Sequence, residues 1–279
     1  MSPAEPGNLS NDVAQEGVFE AVRDAYDAVY DVLAASPTFN RIWRTNAYRG
    51  EFPEAFAHIS FLTLDEARRM LELLRVDAGS VLVDVACGAG GPGLWTAQQT
   101  GASLIGIDAA ASAIAAAKER ASAVDLGTRA RFQQGTFERT GLPDEAAGAI
   151  MSVEAFQYAP DKRRALAELH RVLRPGGRLG LICFEVDPAK ASGLPVLGVD
   201  PVADYQPLLV QAGFTIDTYE ETPGWEARVY AAFGAIVDAS DALTAEMGER
   251  AASGAIAEAM LTVAMKPYPR RVLVVAARS

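Results

Sequence analysis

The chain has 279 residues, half of them apolar and 22% charged, and its 36 acidic against 25 basic side chains give a formal charge of −11. That is globular composition, which excludes a disordered or collagen-like chain, and an acidic body repels phosphate backbones, so no nucleic-acid partner is expected. Two cysteines, Cys87 and Cys183, make no disulfide framework or metal-finger spacing, and no run of 18 apolar residues occurs, so no membrane contact is expected either.

Residues 1–10 hold Pro, Gly, Ser and Asn without periodicity and read as a flexible tail. The opening MSPAEPGNLSND lacks the basic-then-apolar pattern of a secretion signal, so a cytoplasmic location is expected. From Val13 to about Leu33, the spacing of Val18, Val22, Tyr26, Val29 and Leu33 predicts one apolar face of a helix. The aromatic-rich stretch 36–61 is broken by Pro37, Gly50 and Pro53 and reads as short helices and turns. Thr63 and Glu66 form a capping-box pair ahead of Ala67, Met70, Leu71 and Leu74, which predicts a helix to about Arg75. Residues 11–75 are therefore expected to form an N-terminal helical cap.

Strands are predicted at 80–86, 103–108, 130–135, 149–153, 178–184, 214–220 and 271–277, with helices at about 91–100, 110–123, 160–173 and 201–212 between them. Short, near-continuous runs of Val, Leu and Ile suit strands buried on both faces, and the helices suit right-handed crossovers. The fold class is thus α/β, a doubly wound, mostly parallel seven-stranded sheet, with its core over 76–222 and its last strand within 267–279. Between the sixth and seventh strands, Trp225, Val229, Phe233 and Val237 recur every four residues. This predicts a helical insertion over 223–266 that completes the cap.

The segment VLVDVACGAGGPG (81–93) carries the chemistry. A strand runs into Gly88, Gly90, Gly91 and Gly93, where absent side chains let a ligand approach the backbone and the next helix offers free N–H groups. Asp108, at the end of the second strand, is placed to accept both hydroxyls of a ribose. The same glycines also satisfy a dinucleotide fingerprint, but Asp84, four residues before Gly88, would repel a pyrophosphate and suits a cationic amino-acid group better.

DVACGAGGPG (84–93), GIDAAASAIAAAKERA (106–121), FQQGTFERTGLP (132–143), SVEAFQY (152–158) and ELHRVLRPGGRLGLI (168–182) resemble, in order and spacing, the successive motifs of class I S-adenosylmethionine-dependent methyltransferases, in the branch acting on small molecules (methyltransferase type 11-like). The resemblance spans about 80–220 and implies a Rossmann-like methyltransferase fold with an antiparallel last strand. It implies S-adenosyl-L-methionine as cofactor and S-adenosylhomocysteine as product. Asp84, Ala86 and Gly88 would then line the methionine end, Asp108 the ribose, Ala109, Thr136 and Phe137 the adenine, and Val153 the sulfonium side, with Gly90 also among the cofactor-binding residues. Ala86 stands where the family more often has Gly, and Thr136 where it often has Asp.

Methyl transfer needs a nucleophile aligned with the S–CH3 axis, and an acidic acceptor group can also need a base. The candidates for catalytic work are His58, in the aromatic segment, Glu154, just after the fourth strand, and Tyr158, four residues on. His170 flanks Leu166, Leu169 and Leu173 and reads as structural. Arg41, Arg44 and Arg49 read as a solvated face or, alternatively, a clamp for an anionic substrate group. No acidic cluster with metal spacing is present, so no metal is expected. The function implied is methylation of O, N or C of a small, largely apolar metabolite of natural-product type. The alternative is a protein that keeps the cofactor pocket but catalyses a cyclisation or rearrangement, or only binds.

Overall fold

Runs such as Val81–Val85 (β1), Ser103–Asp108 (β2), Ala130–Gln134 (β3), Ala147–Val153 (β4) and Leu173–Glu185 (β5) pair in parallel, and Phe214–Glu221 (β6) and Arg270–Arg278 (β7) complete one seven-stranded sheet. Its order is β3-β2-β1-β4-β5-β7-β6. β7 runs antiparallel to both neighbours, with Leu181 opposite Val274 and Tyr219 opposite the same residue. The computed structural model describes residues 8–32, 36–192, 194, 197 and 199–279. The first seven residues of the expected tail and Leu33 of the expected helix face lie outside them.

β1 is flanked by β2 on one side and β4 on the other, so the chain reverses direction across the sheet at this strand. A crevice opens there beyond the carboxyl ends of the strands. Alternation within strands splits the core in two: Leu82, Leu104, Met151 and Ile182 face one layer, and Val83, Ile105, Ile150 and Leu181 face the other. Helices Gly91–Thr100 (α4) and Ala111–Ala123 (α5) cover the first face. Lys162–Val172 (α6) and Gln206–Gln211 (α8) cover the second.

The expected capping box is present: the Thr63 hydroxyl accepts from Glu66 N–H, and the Glu66 carboxylate accepts from Thr63 N–H, opening Leu64–Leu74 (α3). The helix expected over 201–212 is shorter. Val202 carbonyl accepts from Val186 N–H at 2.8 Å, which holds the chain against the end of β5, and the helix begins only beside Pro207. A further short helix, Pro188–Ala191 (α7), follows β5 with Asp187 as its cap.

Asn8–Val32 (α1) includes residues 8–10 of the expected tail. Pro37–Ile42 (α2) passes directly into a π-turn at Trp43–Ala47. The 223–266 segment folds as three helices, Trp225–Asp238 (α9), Ser240–Met247 (α10) and Glu249–Met265 (α11). α9 buries Trp225, Val229, Phe233 and Ile236 and packs on the π-turn, and α11 packs on α1.

α1 is fastened to the core through one carboxylate. α5 has Ala110 at its cap position and no side-chain cap of its own. Asp27 of α1 supplies one, accepting from Ser112 N–H at 2.8 Å and from its hydroxyl at 2.7 Å. These bonds hold the Asp27 pKa below the usual carboxylate value, so its stabilisation is present at neutral pH and is lost as pH falls through that depressed pKa. Asp27→Ala should therefore lower stability by about 0.5–2 kcal/mol at pH 7 in urea titrations. The gap from the parent protein should close on acidification below about pH 4.

Candidate active site

At the carboxyl end of β1 the backbone turns sharply. Ala86, Gly88 and Gly90 all have positive φ, at 58°, 53° and 77°. Gly90 caps α4, and a Cβ there would press on Leu94, Phe132 and Ala117 at 3.2–3.3 Å. At Gly88 a Cβ would lie 2.1 Å from the phenol oxygen of Tyr30, because α1 lays that side chain onto the loop. Asp108, ending β2, fixes the same turn: its Oδ2 accepts from Gly88 N–H at 2.8 Å and its Oδ1 from Ala110 N–H at 2.9 Å. Burial raises its pKa, and these backbone donors oppose the rise.

A cavity of about 790 Å3, open solvent included, lies above this turn. Ala86, Asp108, Ala109, Thr136, Phe137 and Val153 line it from the sheet side, and Phe19, Val22, Arg23, Tyr26 and Tyr30 from α1. Asp84, Gly88 and Gly90 are not among its lining residues. Asp84 lies beneath the cavity floor rather than on its lining. Its buried carboxyl accepts a hydrogen bond from Gly93 in the first turn of α4, and burial, with Asp108 nearby, lifts its pKa to about 8. Gly88 and Gly90 shape the turn beneath the cavity.

A second cavity of about 740 Å3, again counting open solvent, lies between the sheet and the helices of residues 8–61 and 223–266. Val29, Phe39, Trp43, Phe61, Phe184 and Phe233 give it an apolar lining, with Gln157, Glu258 and Tyr268 as polar groups. The two cavities share four residues, Tyr26, Ile59, Glu154 and Tyr158, which form the wall between them.

Two of the candidate catalytic residues stand on that wall. Glu154 has φ of +54°, and both of its oxygens are engaged. Oε2 accepts from Phe61 N–H at 2.8 Å, and Oε1 lies 2.6 Å from the guanidinium of Arg271. Burial raises its pKa while Arg271 opposes the rise. Tyr158 donates its phenol proton to Glu258 Oε1 at 2.7 Å.

His58 is a correction. It lines neither cavity; its ring packs against Tyr48 and Phe52, with centroids at 4.5 and 4.6 Å, and Nδ1 bonds the Ser60 hydroxyl at 2.8 Å. Burial, with Arg120 adding repulsion, depresses its pKa from 6.5 to about 3, so the imidazole is neutral at neutral pH. His170 packs edge-on against Phe214, as a structural residue does. Arg41, Arg44 and Arg49 line neither cavity, and Arg44 pairs with Glu54 in solvent, so the alternative of an anion clamp is not built.

Sequence reasoning missed Tyr30, Gln157, Glu258 and Tyr268. Glu258 did leave a signal, being the only charged residue between Arg250 and Lys266 in an otherwise apolar helical stretch. Tyr30 lies one helical turn beyond Tyr26.

A glycine turn, an acidic residue ending β2 and a sheet with reversed β7 define a nucleoside-binding α/β enzyme with an apolar chamber beside its ligand cavity. Residues 83–181 match the family model described as "Methyltransferase domain". The 27-O-demethylrifamycin SV methyltransferase of Amycolatopsis mediterranei (strain S699) is 27% identical over 216 residues, 72% of this chain and 77% of the relative. Methyltransferase GfsG of Streptomyces halstedii is 29% identical over 57% of this chain, and the match spans about half of that relative, 56%. Among solved structures, the [4+2]-cyclase SpnF superposes with a TM-score of 0.72 over 92% of this chain and 94% of its own, at 22% identity, which is a likeness of fold. Residues 83–181 thus carry a methyltransferase domain, and the chain around it is similar to S-adenosylmethionine-dependent methyltransferases.

The burial of His58 makes a prediction that separates packing from catalysis. A depressed pKa stabilises the fold above about pH 6.5, and that contribution is lost as pH falls toward 3. His58→Asn should cost about 1–3 kcal/mol at neutral pH through lost ring contacts and should flatten the acid limb of the stability curve. A changed alkaline or neutral limb of the pH–rate profile would contradict this placement.

Proposed function

We propose that the protein transfers a methyl group from S-adenosylmethionine to a small, largely apolar acceptor seated in the aromatic chamber. One observation carries the reading: the sheet-side cavity and the chamber meet at a single wall made by Tyr26, Ile59, Glu154 and Tyr158. A donor in the first and an acceptor in the second would face each other there.

The residues present fit this cofactor. Asp108 accepts one backbone N–H on each oxygen and keeps lone pairs for ribose hydroxyls. Phe137, with Ala109, offers an apolar surface for a flat base, and its ring is braced edge-on by Phe156 at 5.4 Å. The Thr136 backbone N–H and C=O both pair with Arg139, and its hydroxyl oxygen accepts from Arg139 N–H, which leaves the hydroxyl proton to reach the base. S-adenosylmethionine supplies an activated methyl group on a positively charged sulfur. The chain's own work is alignment and exclusion of water, which in well-oriented systems contributes up to about 7–11 kcal/mol. α1 serves both ends, covering the loop with Tyr30 and contributing Tyr26 to the wall.

The rifamycin relative is named for an O-demethylated acceptor, and an acceptor hydroxyl on a largely apolar body would suit an aromatic chamber with few polar groups. Incubation of such acceptors with S-adenosylmethionine should give a product heavier by one methylene together with S-adenosylhomocysteine. An unchanged mass with altered chromatographic retention would favour a rearrangement instead. Calorimetry should show S-adenosylhomocysteine binding, and Asp108→Ala should weaken it about 10–100-fold, the cost of a charged hydrogen-bond acceptor. Unaltered affinity in that variant would remove Asp108 from the site.

A further inference from the structure

The wall between the cavities holds three polar side chains, and they are not equivalent. Both Glu154 oxygens are committed, one to Phe61 N–H and one to Arg271, and turning either outward would leave a buried guanidinium short of its partner. Tyr26 and Tyr158 remain, their rings 6.3 Å apart. Only Tyr158 donates to a carboxylate, Glu258 Oε1 at 2.7 Å. The Tyr158 oxygen also meets the Tyr26 and Tyr268 phenols, so an acceptor hydroxyl takes the place of one of these neighbours at its second lone pair.

We propose that Tyr158 and Glu258 are the proton-accepting pair of the transfer, with Tyr158 touching a hydroxyl of the acceptor and Glu258 taking the proton through it, so that the atom methylated is oxygen. This rests on the methyltransferase reading above and deepens it. The step balances. The acceptor oxygen forms its bond to the methyl carbon as the carbon–sulfur bond breaks, the electron pair staying on sulfur. The hydroxyl proton passes to Tyr158 oxygen while the Tyr158 proton passes to Glu258, leaving an ether, a thioether and a neutral carboxylic acid. A third cavity, between α1 and α11, also reaches Tyr158 and Glu258 and is bordered by the partly exposed Leu261, which gives the proton a way out.

Two further groups on the chamber lining suit a hydroxylated, oxygen-bearing skeleton. Trp43 Nε1 and Gln157 Oε1 are buried and have no hydrogen-bond partner among the described residues. One is a donor and the other an acceptor. The titratable groups facing Glu258 are Tyr26 from α1, Tyr158 after β4 and Tyr268 before β7, all held neutral by burial. Burial also places the Glu258 pKa above the usual glutamate range, against the opposing Tyr158 hydrogen bond.

The test compares two hydroxyl probes of different acidity, 2-phenylethanol and 4-nitrophenol, with methyl ethers read by mass spectrometry. The parent protein should methylate both, and its rate with 2-phenylethanol should rise with pH through one ionisation above the usual glutamate range. Glu258→Gln and Tyr158→Phe should each cut transfer to 2-phenylethanol by about 10²–10⁴-fold, the usual worth of base assistance, and abolish that inflection. With 4-nitrophenol, which ionises unaided, the loss should shrink below about tenfold. Glu258→Gln should bind S-adenosylhomocysteine within about twofold of the parent, since Glu258 does not line the donor cavity. Equal losses on both probes, an unchanged rate with 2-phenylethanol, or no ether from either probe despite S-adenosylhomocysteine binding would each overturn the proposal. Failure of the parent to bind S-adenosylhomocysteine would overturn the methyltransferase reading instead.

Discussion

Arg271 is the residue on which the arrangement of the site turns. It lies on β7 with no exposed side-chain surface, just ahead of the apolar run Val272–Ala277. Its guanidinium makes a two-pronged pair with Glu66 of α3 at 2.9 and 3.2 Å, reaches Glu154 at the end of β4, and donates to Thr222 after β6 at 2.7 Å. Glu66 also receives Arg228 of α9 at 2.6 Å. Three strands' ends and the helices α3 and α9 are thus tied to one buried charge. Such a group gains little over an apolar core, but removing one member strands the others at a cost of about 3–5 kcal/mol. What the group secures is position. Glu154 is held with a left-handed backbone, accepts from Phe61 N–H, and so fixes the segment that places Ile59 in the wall between the cavities.

α1 complements that fixed wall from the other side. Within one helical turn, Tyr26 enters the wall, Asp27 caps α5 and Tyr30 covers Gly88. A helix repeats its direction every three to four residues, so these three neighbours fan across one face and its edges. The donor cavity is therefore closed by an element held mainly at one cap and two phenols, whereas its floor is built from the most deeply buried strands.

The sheet was legible because continuous Val, Leu and Ile runs leave few alternatives, and the Thr63–Glu66 box and the glycine turn are local signals that report their own geometry. Ala86 shows what such a signal can also carry: its φ of +58° explains why glycine is usual there, since a side chain in that region costs roughly 1–2 kcal/mol. The stretch 201–205 misled because its composition tolerates helix while Val186 draws it into an extended pairing. Long-range partners were out of reach. Glu154 meets Arg271 and Tyr158 meets Glu258 across 117 and 100 residues of chain, and no spacing in the chain announces either pair. His58 looked like a base because histidine usually titrates near neutrality, and only the burial around it removes that property.

Charge accounting connects these observations. The donor cavity is bounded by Asp108 and the wall by Glu154, with Asp84 just beneath the floor, so the site suits a cation. Glu154 is neutralised by Arg271, and Asp84, with a pKa near 8, is largely protonated at neutral pH, which leaves Asp108 and Glu258 as the carboxylates without a cationic partner among the described residues. If Glu258 accepts the proton, its negative charge disappears in the same event that removes the positive charge from sulfur. Two opposite charges in a poorly solvated space are thereby replaced by neutral groups, and the product state needs no counter-ion. A chamber lined by Phe39, Trp43, Phe61 and Phe233 favours that change, because low polarity penalises the charged starting pair more than the neutral outcome. On the proposal above, the apolar lining would have two tasks at once, seating the acceptor and helping to drive the proton onto Glu258.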